Sequence, residues 1–194
     1  VAEAFYDIVG GVADATTHMA ILEAATATAE AGNADLGSTT QALISVMNSY
    51  GFSADEAGFA SDILTKTVAA GVGSMDEFAG AMGLTAGLAA SAGISFDELG
   101  GSMAYMTTKG FSASQAGARA TAIITAFLKP NEKMNAALRV MGVESGSAAL
   151  EMYGLSGTIE MLDTAMGGST DAMAAALGTT EALTGAIALS DPRL

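Results

Sequence analysis

The tetrapeptide Ser-x-Asp-Glu occurs three times in this chain, at residues 53–56, 74–77 and 95–98, in steps of 21 residues. Each copy predicts a helix start, because the Ser hydroxyl can accept the backbone N–H three residues on while the Glu reaches back to the Ser N–H. The acidic pair also places negative charge at the positive end of the helix dipole. Weaker versions flank the set at 38–41 and 112–115. The middle of the chain is therefore predicted to be a row of short, separately capped helices.

Hydrophobic periodicity extends this row along the chain and favours an all-α fold. Runs of β-branched residues are short and hairpin turn pairs are missing, so no strand is predicted. We expect an irregular array of about 8–11 short capped helices, with solenoid-like packing as one possible arrangement. The expected helices cover 2–31 (one helix, or two interrupted near Gly10-Gly11), 39–49, 54–70, 75–91, 96–108, 113–128, 131–141 and, from weaker signals, 147–153, 156–166, 170–177 and 180–188.

Length and composition indicate a folded chain with three consecutive parts. The 194 residues suit one domain or two tightly joined ones, and 51% of them are hydrophobic, which argues against a disordered tail. The 24 Gly and 2 Pro residues suit helices joined by glycine turns. We divide the chain into an N-terminal helical segment, 1–35, a helical core, 36–143, and a C-terminal region of short helices, 144–194, packed together as one domain.

No catalytic, cofactor-binding or metal-binding residue is assigned. The chain has no Cys and His18 is its single histidine, which excludes a zinc site built from Cys and His ligands. A Ser-His-Asp triad lacks its Gly-x-Ser-x-Gly turn, and neither a phosphate-binding loop nor a dinucleotide fingerprint occurs. We interpret His18 as a solvated residue or one at the core edge, and the Asp-Glu pairs as helix caps. We therefore expect no cofactor, no small-molecule substrate and no enzymatic activity.

The charge balance argues against nucleic acid as a direct partner. Seven basic and 21 acidic residues give a formal net charge of −14. A nucleic-acid surface needs a basic stripe, and the sequence offers none. A charge of this sign also favours solubility and repels DNA and anionic membranes.

The stretch from Phe78 to Phe96 has 19 residues without a charge and keeps a membrane role open. Its length would allow a membrane span, and Gly83-x-x-x-Gly87 within it is a contact motif of membrane helices. Against a span, four Gly and several Ser or Thr residues dilute the stretch, and the Ser95 cap sets a helix boundary at its end. We favour close helix–helix packing through these small residues.

Four segments, taken in order, carry a family resemblance. They read GFSADEAGFASDILTKTV at 51–68, AASAGISFDEL at 89–99, TTKGFSASQAGAR at 107–119, and AFLKPNEK at 126–133 leading to Leu138 and Met141-Gly-Val143. Together they resemble the core region of phage tail tape measure proteins over roughly residues 35–165. On this resemblance the segment 36–143 is a tape-measure-like helical core.

The resemblance implies a non-enzymatic structural module of a phage or prophage tail. Proteins of this family occupy the tail tube lumen, template tail length during assembly and leave ahead of the DNA at infection. It implies tail tube and tail assembly chaperone proteins as partners, with self-association and the host membrane as further candidates. It also implies a location in the tail interior of the virion, and in the host cytoplasm during assembly.

The sequence departs from the whole-protein pattern in its length. Tape measures are usually much longer, and the extended helical regions that set length are missing here, so length measurement cannot be assigned to these residues. The chain opens on Val1-Ala2-Glu3 without Met, which we interpret as a piece of a longer protein. Two alternatives stay open: a membrane-interacting helical module that aids DNA entry, and a generic helical adaptor.

The glycine content predicts a helical fold that opens easily. Each Gly in a helix interior costs about 1 kcal/mol relative to Ala, so helices this rich in Gly depend on packing. We expect the isolated 194-residue chain to melt in a broad or low thermal transition, measured by circular dichroism. A sharp transition above about 80 °C would contradict this, since ordinary domains melt near 45–65 °C.

Overall fold

The structure, a computed structural model, describes residues 1–12 and 17–190. This part of the chain forms eleven α-helices and no strand, which confirms the all-α prediction. A 3-10 turn at Ala54–Glu56 leads into the fourth helix. The helices, in chain order, are α1 Ala2–Gly11, α2 His18–Gly32, α3 Leu36–Tyr50, α4 Ala57–Ala70, α5 Met75–Ser91, α6 Phe96–Thr108, α7 Ala113–Leu128, α8 Glu132–Met141, α9 Gly146–Ala165, α10 Thr170–Leu177 and α11 Thr180–Leu189.

The N-terminal segment predicted over 2–31 forms two helices, α1 and α2. Residues 13–16 of that prediction lie outside the described residues. His18, the first residue of α2, is 7% exposed, and its Nε2 lies 2.8 Å from the Val12 carbonyl oxygen. Its ring also meets Phe5 of α1 edge-on, with ring centroids 6.1 Å apart. His18 therefore joins the first two helices at the edge of the core.

The start predicted for the helix at 39–49 is wrong. The helix begins at Leu36, because Asp35 caps it in place of Ser38. The Asp35 carboxylate accepts the Ser38 backbone N–H at 2.8 Å, which places Ser38 inside the first turn. Asn and Asp rank with Ser as capping residues, so an Asp three positions upstream of the weak Ser-x-x-Gln signal is sufficient to move the boundary.

The helices pack in two rows that run along the array. In the first row α1, α3, α5 and α7 contact one another in order, and α11 continues beside α7. The intervening helices α2, α4 and α6 form the second row, which α9 continues, while α8 packs on α9 and α10. A cluster of buried side chains extends through both rows, from Ile8 to Leu189. Helices also contact their neighbours across the two rows, and such stacking of successive helices on their neighbours is typical of solenoid-like arrays.

Small residues of the charge-free stretch hold α5 against α3. A Cβ on Gly83 would lie 3.4 Å from the Cα of Ala42, and a Cβ on Gly87 would lie 3.6 Å from the Ser49 Oγ. The Ser45 hydroxyl donates a hydrogen bond to the Gly83 carbonyl at 2.8 Å. Gly83-x-x-x-Gly87 is thus a helix-packing motif, as its spacing predicted. Across the described ranges, no helix combines the length and the apolar character needed to cross a bilayer.

Other helix crossings are also closed by glycine. Gly100 of α6 lies against the Thr67 side chain of α4, and a Cβ on Gly117 of α7 would lie 3.1 Å from a side-chain oxygen of α5. A Cβ on Gly185 of α11 would lie 2.8 Å from the Arg119 Cβ of α7. Because the rows close through such contacts, much of the glycine content serves tertiary packing.

Substitutions at two adjacent glycines of α6, Gly100 and Gly101, allow the effect of packing on stability to be measured apart from the effect of helix propensity. Gly101 is exposed, and a Cβ there meets nothing within 4 Å, so Gly101→Ala should raise the free energy of unfolding by roughly 0.5–1 kcal/mol. Gly100 is buried and its Cβ would overlap the Thr67 hydroxyl, so Gly100→Ala should lower the free energy of unfolding by about 1–3 kcal/mol. Urea denaturation measures both.

A double variant tests the assigned cause. Thr67→Ala combined with Gly100→Ala removes the overlapping oxygen and should recover part of the loss, as a positive coupling in the double-mutant cycle. Equal effects of Ala at positions 100 and 101 would contradict the close crossing of α4 and α6.

Candidate functional site

The three Ser-x-Asp-Glu copies are used in two different ways. In the first two copies the Glu returns to its own Ser: the Ser53 N–H donates to Glu56 at 2.8 Å, and the Ser74 N–H donates to Glu77 at 2.9 Å. In the third copy the helix does begin after Ser95, but the Ser95 side chain makes no capping hydrogen bond. The capping box predicted at 95–98 is therefore wrong, and its Glu is free for another role.

Glu98 instead caps a different helix. Its carboxylate accepts the backbone N–H of Leu155, in the middle of α9. The intervening Gly154 has φ 67° and ψ −171°, so α9 consists of two helical halves joined at a kink. The predicted helices at 147–153 and 156–166 correspond to these halves. The first N–H groups of the second half have no carbonyl partner within that half. A carboxylate at this position accepts hydrogen bonds from them and is stabilised by the positive end of the helix dipole.

The kink leaves no alternative to glycine at its centre. A Cβ on Gly154 would fall on the Glu98 carboxylate, and a positive φ is unfavourable for other residues. The backbone conformation and the carboxylate therefore require each other. Together they fix the direction in which the second half of α9 leaves the first.

The Glu98 carboxyl is half-buried, and its surroundings act on its pKa in opposite directions. Burial has the largest effect and raises the pKa, because desolvation disfavours the charged form. Hydrogen bonds from the backbone of Leu155 and Ser156 oppose this shift, while the neighbouring Asp97 charge adds to it. The net result is a raised pKa.

An aromatic cluster lies beside this carboxylate. Tyr50, at the end of α3, stacks on Phe52 with centroids 5.6 Å apart and tilts against Phe96 of α6 at 5.5 Å. Burial, followed by the charges of Glu98 and Asp97, raises the pKa of Tyr50. Among the residues that the structure describes, its buried hydroxyl has no hydrogen-bond partner. Tyr50 therefore stays protonated and acts as a packing residue.

This arrangement supports a structural joint better than a reactive centre. A Glu98 carboxylate oxygen is held by a backbone donor, and a general acid or base needs instead to reach a substrate proton. Residues 1–12 and 17–190 contain no group of His, Asp and Glu side chains that could hold a metal ion. The joint ties α6 to α9 through Glu98 and Leu155, which are 57 residues apart in the sequence.

The joint was only partly visible in the sequence. The gap between the predicted helices 147–153 and 156–166 indicated a break at residues 154–155, and the third Ser-x-Asp-Glu copy, 95–98, indicated a helix start. The local rule assigned Glu98 to its own helix, because Ser-x-Asp-Glu carries no information about residue 155. A signal that could have found the joint is a glycine break within an amphipathic run that lacks its own Ser, Thr, Asp or Asn cap.

Substitutions at Glu98 should separate its charge from its capping role. Glu98→Ala leaves the N–H groups at the kink unpaired and should lower the free energy of unfolding by about 1 kcal/mol at pH 7. Glu98→Gln keeps an acceptor oxygen and removes the desolvated charge, so it should match or exceed the wild-type stability at pH 7. Urea denaturation of both variants measures this difference.

The same pair predicts a pH dependence. A raised pKa means that the folded state takes up a proton more readily than the unfolded state, for which Glu titrates at about 4.3. The stability due to neutral Glu98 is full below that value and is lost as pH rises through the folded pKa. The advantage of Glu98→Gln should therefore shrink from pH 8 towards about pH 5. Glu160→Gln, an exposed change of equal charge on α9, is the control, and a constant advantage would contradict the burial effect.

Residues 1–182 match the protein family described as phage-related minor tail protein. A tape measure protein of Pneumococcus phage Dp-1 is 29% identical over 136 residues, which are 70% of this chain and 12% of that protein. The chain thus spans a small part of the length of this relative. No solved structure matches the chain. The resemblance seen in the sequence is confirmed, and the chain belongs to the phage-related minor tail protein family, which includes tape measure proteins.

Proposed function

We propose that this chain is a non-enzymatic helical module of a tape measure protein that serves tail assembly and genome delivery. The observation that carries the proposal is the family match over residues 1–182, which extends through nearly the whole array. We further propose that the module lies in the tail interior of the virion and passes through the host cytoplasm during assembly. Its partners would be the tail tube protein and the tail assembly chaperones.

The packing of the rows supports a role in a protein that must leave through a narrow tube. Each helix contacts mainly the helices next to it, within its row and across the rows, so the array can come apart progressively from one end. Small residues, such as Gly83 against Ala42, make part of the contact between helices beside the large buried side chains of the core. On separation, this part of the contact exposes less apolar surface than the same contact built on Leu or Phe, and so it costs less free energy.

The membrane-interacting alternative has less support. It was based on the charge-free stretch 78–96, whose larger apolar residues Phe78, Met82, Ile94 and Phe96 are all buried in the core. Two of its glycines, Gly83 and Gly87, face α3. The exposed Leu84, at 89%, is an isolated apolar residue on this helix and does not make a membrane-binding face.

A pair of glycine variants in the phage or prophage tests the proposed role. A Cβ on Gly146 would overlap the carbonyl of Phe127, so Gly146→Ala should disrupt the contact of α9 with α7. We expect it to reduce the number of assembled tails, or the fraction of particles that release DNA, as counted by electron microscopy and DNA-release assays. Tails that do form should keep their normal length, because the length-setting region is not among these residues.

Gly101→Ala is the matched control, since its Cβ meets no neighbour and assembly should be unaffected. Cross-linking of wild-type tails should join the module to the tube protein. Circular dichroism of the purified Gly146→Ala chain shows whether the variant is unfolded. If it is unfolded and the phage still makes normal numbers of tails that release DNA normally, the proposal is overturned.

A further inference from the structure

The α1–α2 end of the array carries an unusual number of exposed apolar side chains. Phe5, Tyr6 and Val9 of α1 and Met19 of α2 are exposed, Tyr6 by 77% and Met19 by 65%. We call these four residues the end face. A cluster of exposed apolar side chains of this kind indicates an interaction site.

The charge around the end face has a single sign. Residues 1–65 contain nine acidic residues and no Lys or Arg. Three of the acidic side chains, Glu3 of α1 and Glu23 and Glu30 of α2, are exposed on the same two helices. A partner for this surface must therefore supply positive charge around an apolar centre, since charge complementarity selects partners and like charges exclude them.

The far end of the same chain has these properties. Residues 109–139 hold five of the seven basic residues and one acidic residue. Lys129, Lys133 and Arg139 of this stretch are exposed, and so is the next residue, Val140, by 71%. We call these four residues the α8 face. The helix α8 packs on α9 and α10, beyond α7, whereas α1 and α2 lie at the opposite end of the two rows.

We propose that the end face of one copy of this chain docks on the α8 face of a second copy, head to tail. Two different patches meet in such a contact, so it is heterologous and allows further copies to add in line. The net charge of −14 opposes association in general. Charges more than about 8 Å apart are screened at physiological ionic strength, so the groups at the contact decide the outcome.

Two variants each disable one half of the contact. Tyr6→Ser with Val9→Ser removes apolar surface from the end face, and Lys133→Glu with Arg139→Glu reverses the charge of the α8 face. Sedimentation equilibrium should show a wild-type mass that rises with protein concentration and falls with added NaCl. Each double variant should weaken the association constant by at least about tenfold, as expected for the loss of central interface groups.

Matched changes outside the two faces serve as controls. Leu84→Ser removes an exposed apolar residue from α5, and Lys66→Glu reverses an exposed charge on α4. Both controls should associate like the wild type. Circular dichroism should show unchanged helix content in all variants, because every substituted side chain is exposed.

Mixing the two double variants gives the sharpest test. Neither should associate alone, but the first keeps an intact α8 face and the second an intact end face, so an equimolar mixture should form a dimer of one copy of each. A symmetric contact, in which each face meets its own copy, gives no such recovery. A wild-type chain that stays monomeric up to about 1 mM, or a mixture without the mixed dimer, would overturn the proposal.

Discussion

The close approach of helix backbones at small residues is the constraint on which the array depends. Where Gly185 meets Arg119 and Gly100 meets Thr67, adding a single carbon would overlap a side chain of the neighbouring helix. These crossings set the spacing within both rows, and the buried Leu, Ile, Met and Phe side chains fill the space that this spacing leaves. A composition that appears unfavourable for helices in isolation is therefore the condition for packing them this closely.

Acidic residues of the repeated tetrapeptide join separate helices as well as starting their own. Asp76, in the second copy, accepts the Asp35 N–H at 3.0 Å and the Ser38 hydroxyl at 2.8 Å, which ties the start of α3 to the start of α5. Glu98, in the third copy, caps the second half of α9. A motif that predicts local helix starts thus also makes hydrogen bonds between residues that are 38 to 57 positions apart in the sequence.

Local signals in the sequence were sufficient for the elements and insufficient for their connections. The helices at 75–91, 96–108 and 113–128 have the predicted bounds, because Ser caps and glycine or proline stops act within a few residues. The start of α3 was missed because Asp35 and Ser38 are both competent caps. The role of Glu98 was missed because a helix start at residue 155 lacks a side-chain cap of its own, and only the fold supplies one.

The fold turns the uneven order of charges along the chain into a separation of charge in space. In the sequence, the absence of Lys and Arg before residue 66 is a matter of composition. In the fold, α1 and α2 occupy one end of the rows and α8 lies beyond α7, so the same asymmetry separates negative and positive surface in space. A net charge alone cannot express this, because it describes how a molecule is repelled at long range. Which surfaces can meet depends instead on where the fold places the end face and the α8 face.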